Sequence, residues 1–257
     1  MAQKISFSNQ KGGVGKTSIT LHTSGALAEL GKKVLAIDLD QQGNLSSVFI
    51  DNIYTLPLTV ADILLEDGVP IKDVIQKTPL ENIDILPANL ALSDLDARLA
   101  GDDDAQYYLL EELEDIEKQY DYILMDCPPS LGRATRISLV AADYVIIPIE
   151  CQEWAVKGSS QLTSYIDKVQ KRANPKLDIM GFVINKFDSR RSIEVSYKEV
   201  LRENYGDKIF QTEFKNNVQY TEATTARLPI TKYLPNSDQA KAFRGLAQEI
   251  IAYAEKR

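Results

Sequence analysis

A single stretch, Gly12-Gly13-Val14-Gly15-Lys16-Thr17-Ser18, constrains this chain more than any other feature. The run Lys4–Ser8 before it reads as a strand. Thr17–Leu30 behind it reads as a helix, and Gly31 follows where a C-terminal cap belongs. Glycines at such a junction let backbone N–H groups converge on an anion without side-chain obstruction. The helix N-terminus adds partial positive charge. Lys16 can reach the β- and γ-phosphates of a nucleotide, and the Thr17 hydroxyl suits Mg2+, a hard ion that prefers oxygen. A plain glycine turn before a helix does not account for Gly-Lys-Thr at this place.

A phosphate loop of this kind needs a sheet beneath it, and the rest of the chain supplies the strands. Val34–Asp38, Ile83–Pro87, Tyr122–Asp126, Tyr144–Ile149 and Ile179–Asn185 are short β-rich runs, several of them almost wholly apolar. Continuous apolar strands are expected where helices cover both faces of a sheet. Helical patterns at Asp104–Lys118, Gly158–Arg172, Ser192–Asn204 and Asp238–Glu255 fall between or after them. The spacing predicts an α/β fold, a doubly wound, mostly parallel twisted sheet with helices on both faces. With 257 residues and no linker or repeat, residues 1–257 are expected to form one domain. Asp102-Asp103-Asp104 suits a loop and helix start, where carboxylates oppose the dipole.

Composition narrows the function. No apolar run approaches the roughly 20 residues of a membrane span, and the N-terminus reads as a strand rather than a signal peptide. Cys127 and Cys151 follow no disulfide or metal spacing, so a cytoplasmic chain with reduced thiols is expected. The only histidine, His22, lies in the first predicted helix and is expected to be a packed residue. The net charge is −8, but residues 181–235 carry 9 Lys/Arg against 7 Asp/Glu. A locally basic surface can therefore sit on an acidic molecule.

Four strings together resemble the deviant Walker A family of ParA and MinD. The first is Lys11-Gly12-Gly13-Val14-Gly15-Lys16-Thr17, with a lysine before the double glycine and Gln10 where the general loop pattern has its first glycine. The second, Asp38-Leu39-Asp40-Gln41-Gln42-Gly43-Asn44, is similar to the family's switch segment. The third, Asp126-Cys127-Pro128-Pro129-Ser130 after an apolar strand, resembles a Walker B element. The fourth spans Asn174 to Ala223, including Asn185-Lys186-Phe187-Asp188 and Asn217-Val218-Gln219-Tyr220. The closest resemblance is to short ParA proteins, which lack a helix-turn-helix before the first strand.

The resemblance implies an ATPase that uses ATP and Mg2+. Lys11 would cross to a partner subunit's phosphates in an ATP-dependent homodimer, and Lys16 would act on the protomer's own nucleotide. Asp40 would orient the attacking water, Asp38 would support the switch, and Thr17, Asp40 and Asp126 would serve the metal. The regions of Asn185 and Asn217 would flank the adenine. The family also implies non-specific DNA binding in the ATP state, a ParB-like or adaptor partner, and a cargo moved along the nucleoid. Arg190, Arg191, Lys198, Lys215, Arg227 and Lys232 are the DNA candidates, although Asn216 and Gln219 stand where the family carries two arginines. A MinD-like protein would need a basic amphipathic C-terminal extension. An iron–sulfur relative would need a suitable cysteine pair, and a metabolic P-loop kinase would lack both Lys11 and the Cys-Pro-Pro-Ser box. The amphipathic stripe from Ala240 to Ala254 is expected to pack on the core rather than on a membrane.

Overall fold

A computed structural model describes residues 1–65 and 68–256, without the side chains of residues 153–160. Among the described residues there are seven strands: β1 (Gln3–Phe7), β2 (Val34–Asp38), β3 (Gln76–Lys77), β4 (Ile83–Leu86), β5 (Tyr122–Asp126), β6 (Tyr144–Ile149) and β7 (Asp178–Ile184). They form one sheet in the order β3-β4-β2-β5-β1-β6-β7. Every pairing is parallel except β3 with β4. β3 has only two residues, too few to show a period, and it is the one strand the sequence did not signal.

Strand alternation divides the interior into two main cores. Leu35, Ile37, Ile123, Met125, Val145 and Ile147 face one side, where helices Val60–Leu65, Tyr108–Glu114 and Arg133–Ala141 pack. Ile5, Phe7, Tyr122, Leu124, Tyr144 and Ile146 face the other, against helix Lys16–Glu29 and helix Asp238–Ala254. A period of two on a sheet covered on both faces explains why these strands read as unbroken apolar runs. Within helix Asp238–Ala254, Ala240, Phe243, Leu246, Ala247 and Ile250 are buried, so the stripe packs inward as expected. No described helix is long and apolar enough to cross a membrane.

Helix Lys16–Glu29 ends as its sequence predicts. Gly31 takes φ 77, its N–H donates to Ala28 O, and the Lys32 N–H donates to Leu27 O. This is a Schellman closure, which requires the left-handed conformation that glycine adopts freely. His22 in this helix is fully buried, accepts at Nδ1 from the Ile230 N–H at 3.1 Å, and packs edge-on against Phe243. Burial pushes its pKa down to about 3, so it stays neutral.

The predicted helix Asp104–Lys118 is corrected. It divides into a 3-10 turn at Asp104–Tyr107, an α-helix at Tyr108–Glu114 and a second 3-10 turn at Glu117–Gln119. Asp102 accepts from the N–H groups of Asp104 and Ala105, which tightens the entry into a 3-10 turn. The helix expected at Gly158–Arg172 starts earlier, at Glu153. Its first turns fall where side chains are not described.

Candidate nucleotide site

Parallel strands raise their carboxyl ends to one edge of the sheet, and the loops after β1, β2 and β5 meet there. Phe7 and Asp38 both sit in register with Asp126. The segment after β1 therefore lies beside the carboxylates that end β2 and β5. Two glycines make the loop possible, Gly13 at φ 77 and Gly15 at φ 91. Gly15 stands at the N-cap of helix Lys16–Glu29, so the first N–H groups of that helix are free to face an anion. A cleft of about 540 Å³ opens above, lined by Gly12, Gly13, Lys16, Thr17, Asp40 and Pro129 among others.

Charge is concentrated beneath this cleft. Lys16 is 6% exposed, and its Nζ folds back to the Lys11 carbonyl at 3.4 Å. Burial lowers its pKa, while the charge of Asp126 opposes that. Asp126 is fully buried, and neither of its carboxylate oxygens has a hydrogen-bond partner. Burial pushes its carboxyl well above the usual range. The nearby Asp38 adds to the rise, and the Thr17 hydroxyl and Lys16 oppose it. A buried carboxylate with no well-formed hydrogen bond is costly, and a divalent cation beside Thr17 would satisfy it. The donor set, a hydroxyl and hard carboxylate oxygens, fits Mg2+.

Asp38 has a different environment. Its Oδ1 accepts from the Asp40 N–H at 3.1 Å, and its Oδ2 accepts from both the N–H and the hydroxyl of Ser46 at 2.8 Å. The Ser46 hydroxyl in turn accepts from the Ala88 N–H. Burial still pushes Asp38 up to about 6 against these bonds. Asp38 thus ties both ends of the segment Leu39–Ser46 to the sheet. Gly43, at φ 61, completes the turn, and a side chain there would strike Ile53 and the Ala88 carbonyl. Asp40 is 9% exposed and lines the cleft, with its Oδ1 accepting from the Gln42 N–H. It also lines an adjoining hollow of about 350 Å³, so solvent reaches it from two sides.

The remaining expected residues fall into three groups. Val14 is buried under the loop, while Ser18 and Thr17 begin the helix. Lys11 leans back over its own protomer, donating to Glu150 Oε2 at 2.8 Å and Gln152 Oε1 at 2.7 Å. Asn185 Nδ2 donates to the Val14 carbonyl at 2.7 Å, and Asn217 Oδ1 caps helix Val218–Thr225 by accepting from the Gln219 N–H. Both asparagines brace the walls of the site. Sequence reasoning missed Ser46, Glu150 and Lys186, whose Nζ donates to the Gly13 carbonyl. Lys186 adjoins Asn185 and was within reach of a motif reading. Ser46 and Glu150 carry no local signal, since their partners are brought to them by the fold.

The basic segment is far less buried. Arg190 pairs with Asp188, Arg191 with Asp188 and Glu194, Lys198 with Glu213, and Arg227 with Asp51. Lys215 and Lys232 are exposed and have no ion pair among the described residues. Cys127 and Cys151 are buried free thiols, the first within 3.4 Å of the Ser6 hydroxyl.

A parallel sheet with this loop, this helix start and these carboxylates defines a P-loop nucleotide-binding protein. Residues 2–179 match the family described as an AAA domain. Over 252 residues the chain is 37% identical to the sporulation initiation inhibitor protein Soj of Bacillus subtilis, covering 98% of this chain and 99% of that protein. Among solved structures, it resembles MinD of Pyrococcus horikoshii in complex with Mg-ADP, with a TM-score of 0.81 and 28% identity over 99% and 98% of the two chains. It also resembles a cobyrinic acid a,c-diamide synthase of Mycobacterium smegmatis with a bound ATP analogue and magnesium, with a TM-score of 0.87 and 29% identity over 99% and 96%. The chain belongs to the ParA/Soj family of partitioning ATPases.

Proposed function

We propose that this protein binds and hydrolyses ATP with Mg2+ and uses the cycle to position a cargo on DNA. The observation that carries the reading is the pair of unsatisfied, buried oxygens on Asp126 beside Thr17 and Lys16. Thr17, Asp40 and Asp126 are the residues that would serve Mg2+, directly or through water. The ion supplies charge neutralisation for the phosphates. Lys16 and the loop N–H groups orient the nucleotide, and Asp40 holds the attacking water in line. Asp38 keeps the switch segment, and with it Asp40, in place through Ser46.

In this reading two ATP-bound protomers form a sandwich, and Lys11 leaves Glu150 and Gln152 to reach the partner's phosphates. There it offsets charge that develops during transfer. Loss of the γ-phosphate removes that contact and releases the dimer, so ATP acts as an association switch. A ParB-like or adaptor protein would accelerate turnover. The dimer would bind DNA through Arg190, Arg191, Lys198, Lys215, Arg227 and Lys232, placing a cytoplasmic protein on the nucleoid. Four of these six are already paired with carboxylates, which favours a second reading in which the surface travelled is not DNA.

Light scattering after size exclusion tests the core of the proposal. The wild type should be dimeric with ATP and Mg2+ and monomeric with ADP. Lys11→Ala should stay monomeric with ATP. Asp40→Ala should remain dimeric, with phosphate release slowed roughly a hundredfold. A Lys11→Ala protein that dimerises as well as wild type would overturn the trans role.

A further inference from the structure

β6 lies between β1 and β7 in the sheet, and all three run in the same direction. The first residue past β6, Glu150, therefore stands between the segments that leave the other two strands. On one side, the Asn185 N–H donates to Ile149 O at 2.7 Å, which holds the exit of β7 against that of β6. On the other, Asn9 Nδ2 donates to Pro148 O at 2.7 Å, and Asn9 Oδ1 accepts from the Lys11 N–H at 2.9 Å. The backbone of Lys11 is thus tied to β6 as well. Each flanking segment brings a lysine to the same carboxylate. Lys11 Nζ donates to Glu150 Oε2 at 2.8 Å, and Lys186 Nζ lies 3.5 Å from Glu150 Oε1.

The partners differ in how firmly they are held. The Glu150 side chain is 13% exposed, against 47% for Lys11 and 45% for Lys186. An enclosed carboxylate depends on its cations, whereas a half-exposed ammonium can exchange partners. Lys186 has a second anchor, the Gly13 carbonyl on the phosphate loop. Among the described residues, every bond of Lys11 Nζ goes to the exit of β6, to Glu150 and to Gln152 Oε1 at 2.7 Å. A lysine that is to reach a second subunit's phosphates must first give up these bonds. Only the fraction of protomers with a free Lys11 is ready to pair, and the apparent affinity falls by that fraction.

We propose that Glu150 parks Lys11 on its own protomer and thereby sets the threshold for ATP-dependent association. Glu150 is a positioning residue that acts through Lys11, and the inference rests on the dimer reading above. Sedimentation of the full chain over a range of protein concentrations, with saturating ATPγS and Mg2+, tests it. At saturation the nucleotide affinity drops out of the dimer dissociation constant. Glu150→Gln should lower that constant about tenfold, since a half-exposed ion pair is worth roughly threefold and a dimer releases two. Glu150→Asp keeps the charge but shortens the reach, so it should lower the constant as well. Glu150→Gln should not rescue dimerisation of Lys11→Ala, and circular dichroism should show all variants folded. An unchanged or raised constant in Glu150→Gln overturns the parking role while leaving the dimer intact. So does a wild-type constant in Glu150→Asp, which would make the effect one of net charge, or a rescue of Lys11→Ala. A wild type that stays monomeric with ATPγS at every concentration overturns the dimer reading itself, and this inference with it.

Discussion

The phosphate end of the sheet and the basic segment after β7 handle charge in opposite ways. At the phosphate end Lys16, Asp38, Asp40 and Asp126 are all at most 9% exposed, and no donor meets Asp126 in full hydrogen-bond geometry. In the basic segment the side chains of Arg190, Arg191 and Arg227 are 88%, 68% and 45% exposed, and each already has a carboxylate. Burying unmatched charge costs stability and persists where a ligand completes the site. Exposed pairs cost little and contribute little. The first arrangement points to a specific ligand. The second describes a surface whose charges are mostly satisfied within the protomer.

The sharpest way to break this contrast is Lys16→Ala. If the buried lysine is the nucleotide's partner, ATP affinity by calorimetry should fall roughly a hundredfold, the scale of removing one member of a desolvated charge pair. The circular dichroism spectrum should be unchanged. Retained affinity would reduce Lys16 to a packing residue and remove the basis for calling the phosphate end specific.

A smaller effect concerns pH. Folded Asp38 keeps its proton up to about 6, whereas an unfolded aspartate releases it near 3.9. Between about pH 4 and 6 the folded state binds more protons, so nucleotide-free stability should fall as pH rises through that window. Asp38 contributes to this fall. Asp126 is shifted in the same direction and extends it. Asp188, held below the usual range chiefly by the Arg190 hydrogen bond, has the opposite sign: its contribution is present above the unfolded pKa and lost at lower pH. Urea melts from pH 4 to 7 should therefore show a shallower decline for Asp126→Asn than for wild type. Equal slopes would mean that Asp126 is not strained in the way its burial implies.

The smallest expected effect lies on the basic segment. If DNA is the surface used, Lys215 and Lys232, which have no ion pair among the described residues, should matter more than the paired Arg191. Fluorescence anisotropy with ATP should show Lys215→Ala and Lys232→Ala each lowering the salt dependence by about one unit in the log–log slope. Arg191→Ala should change it less, since its guanidinium must first leave Asp188 and Glu194. A larger effect from Arg191 would mean that DNA outcompetes the intramolecular pairs.

What the sequence determined alone was whatever depends on neighbours along the chain. Val34–Asp38, Tyr122–Asp126 and Tyr144–Ile149 appear at their predicted ends because a continuous apolar run suits a strand covered on both faces. The loop from Gly12 to Thr17 was legible because glycine freedom, helix start and lysine must be contiguous to hold a phosphate. Tertiary structure alone decided which distant groups complete each charge. Ser46 reaches Asp38 from eight residues away, and Glu150 meets Lys11 from 139 residues away. Asn185 and Asn217 became struts because the fold brought Val14 to one and a helix start to the other. The six basic residues looked alike in sequence. Arg190 and Arg191 pair with carboxylates two or three residues away, but only tertiary packing brought Glu213 to Lys198 and Asp51 to Arg227, because such pairing depends on distance in space and leaves no period along the chain.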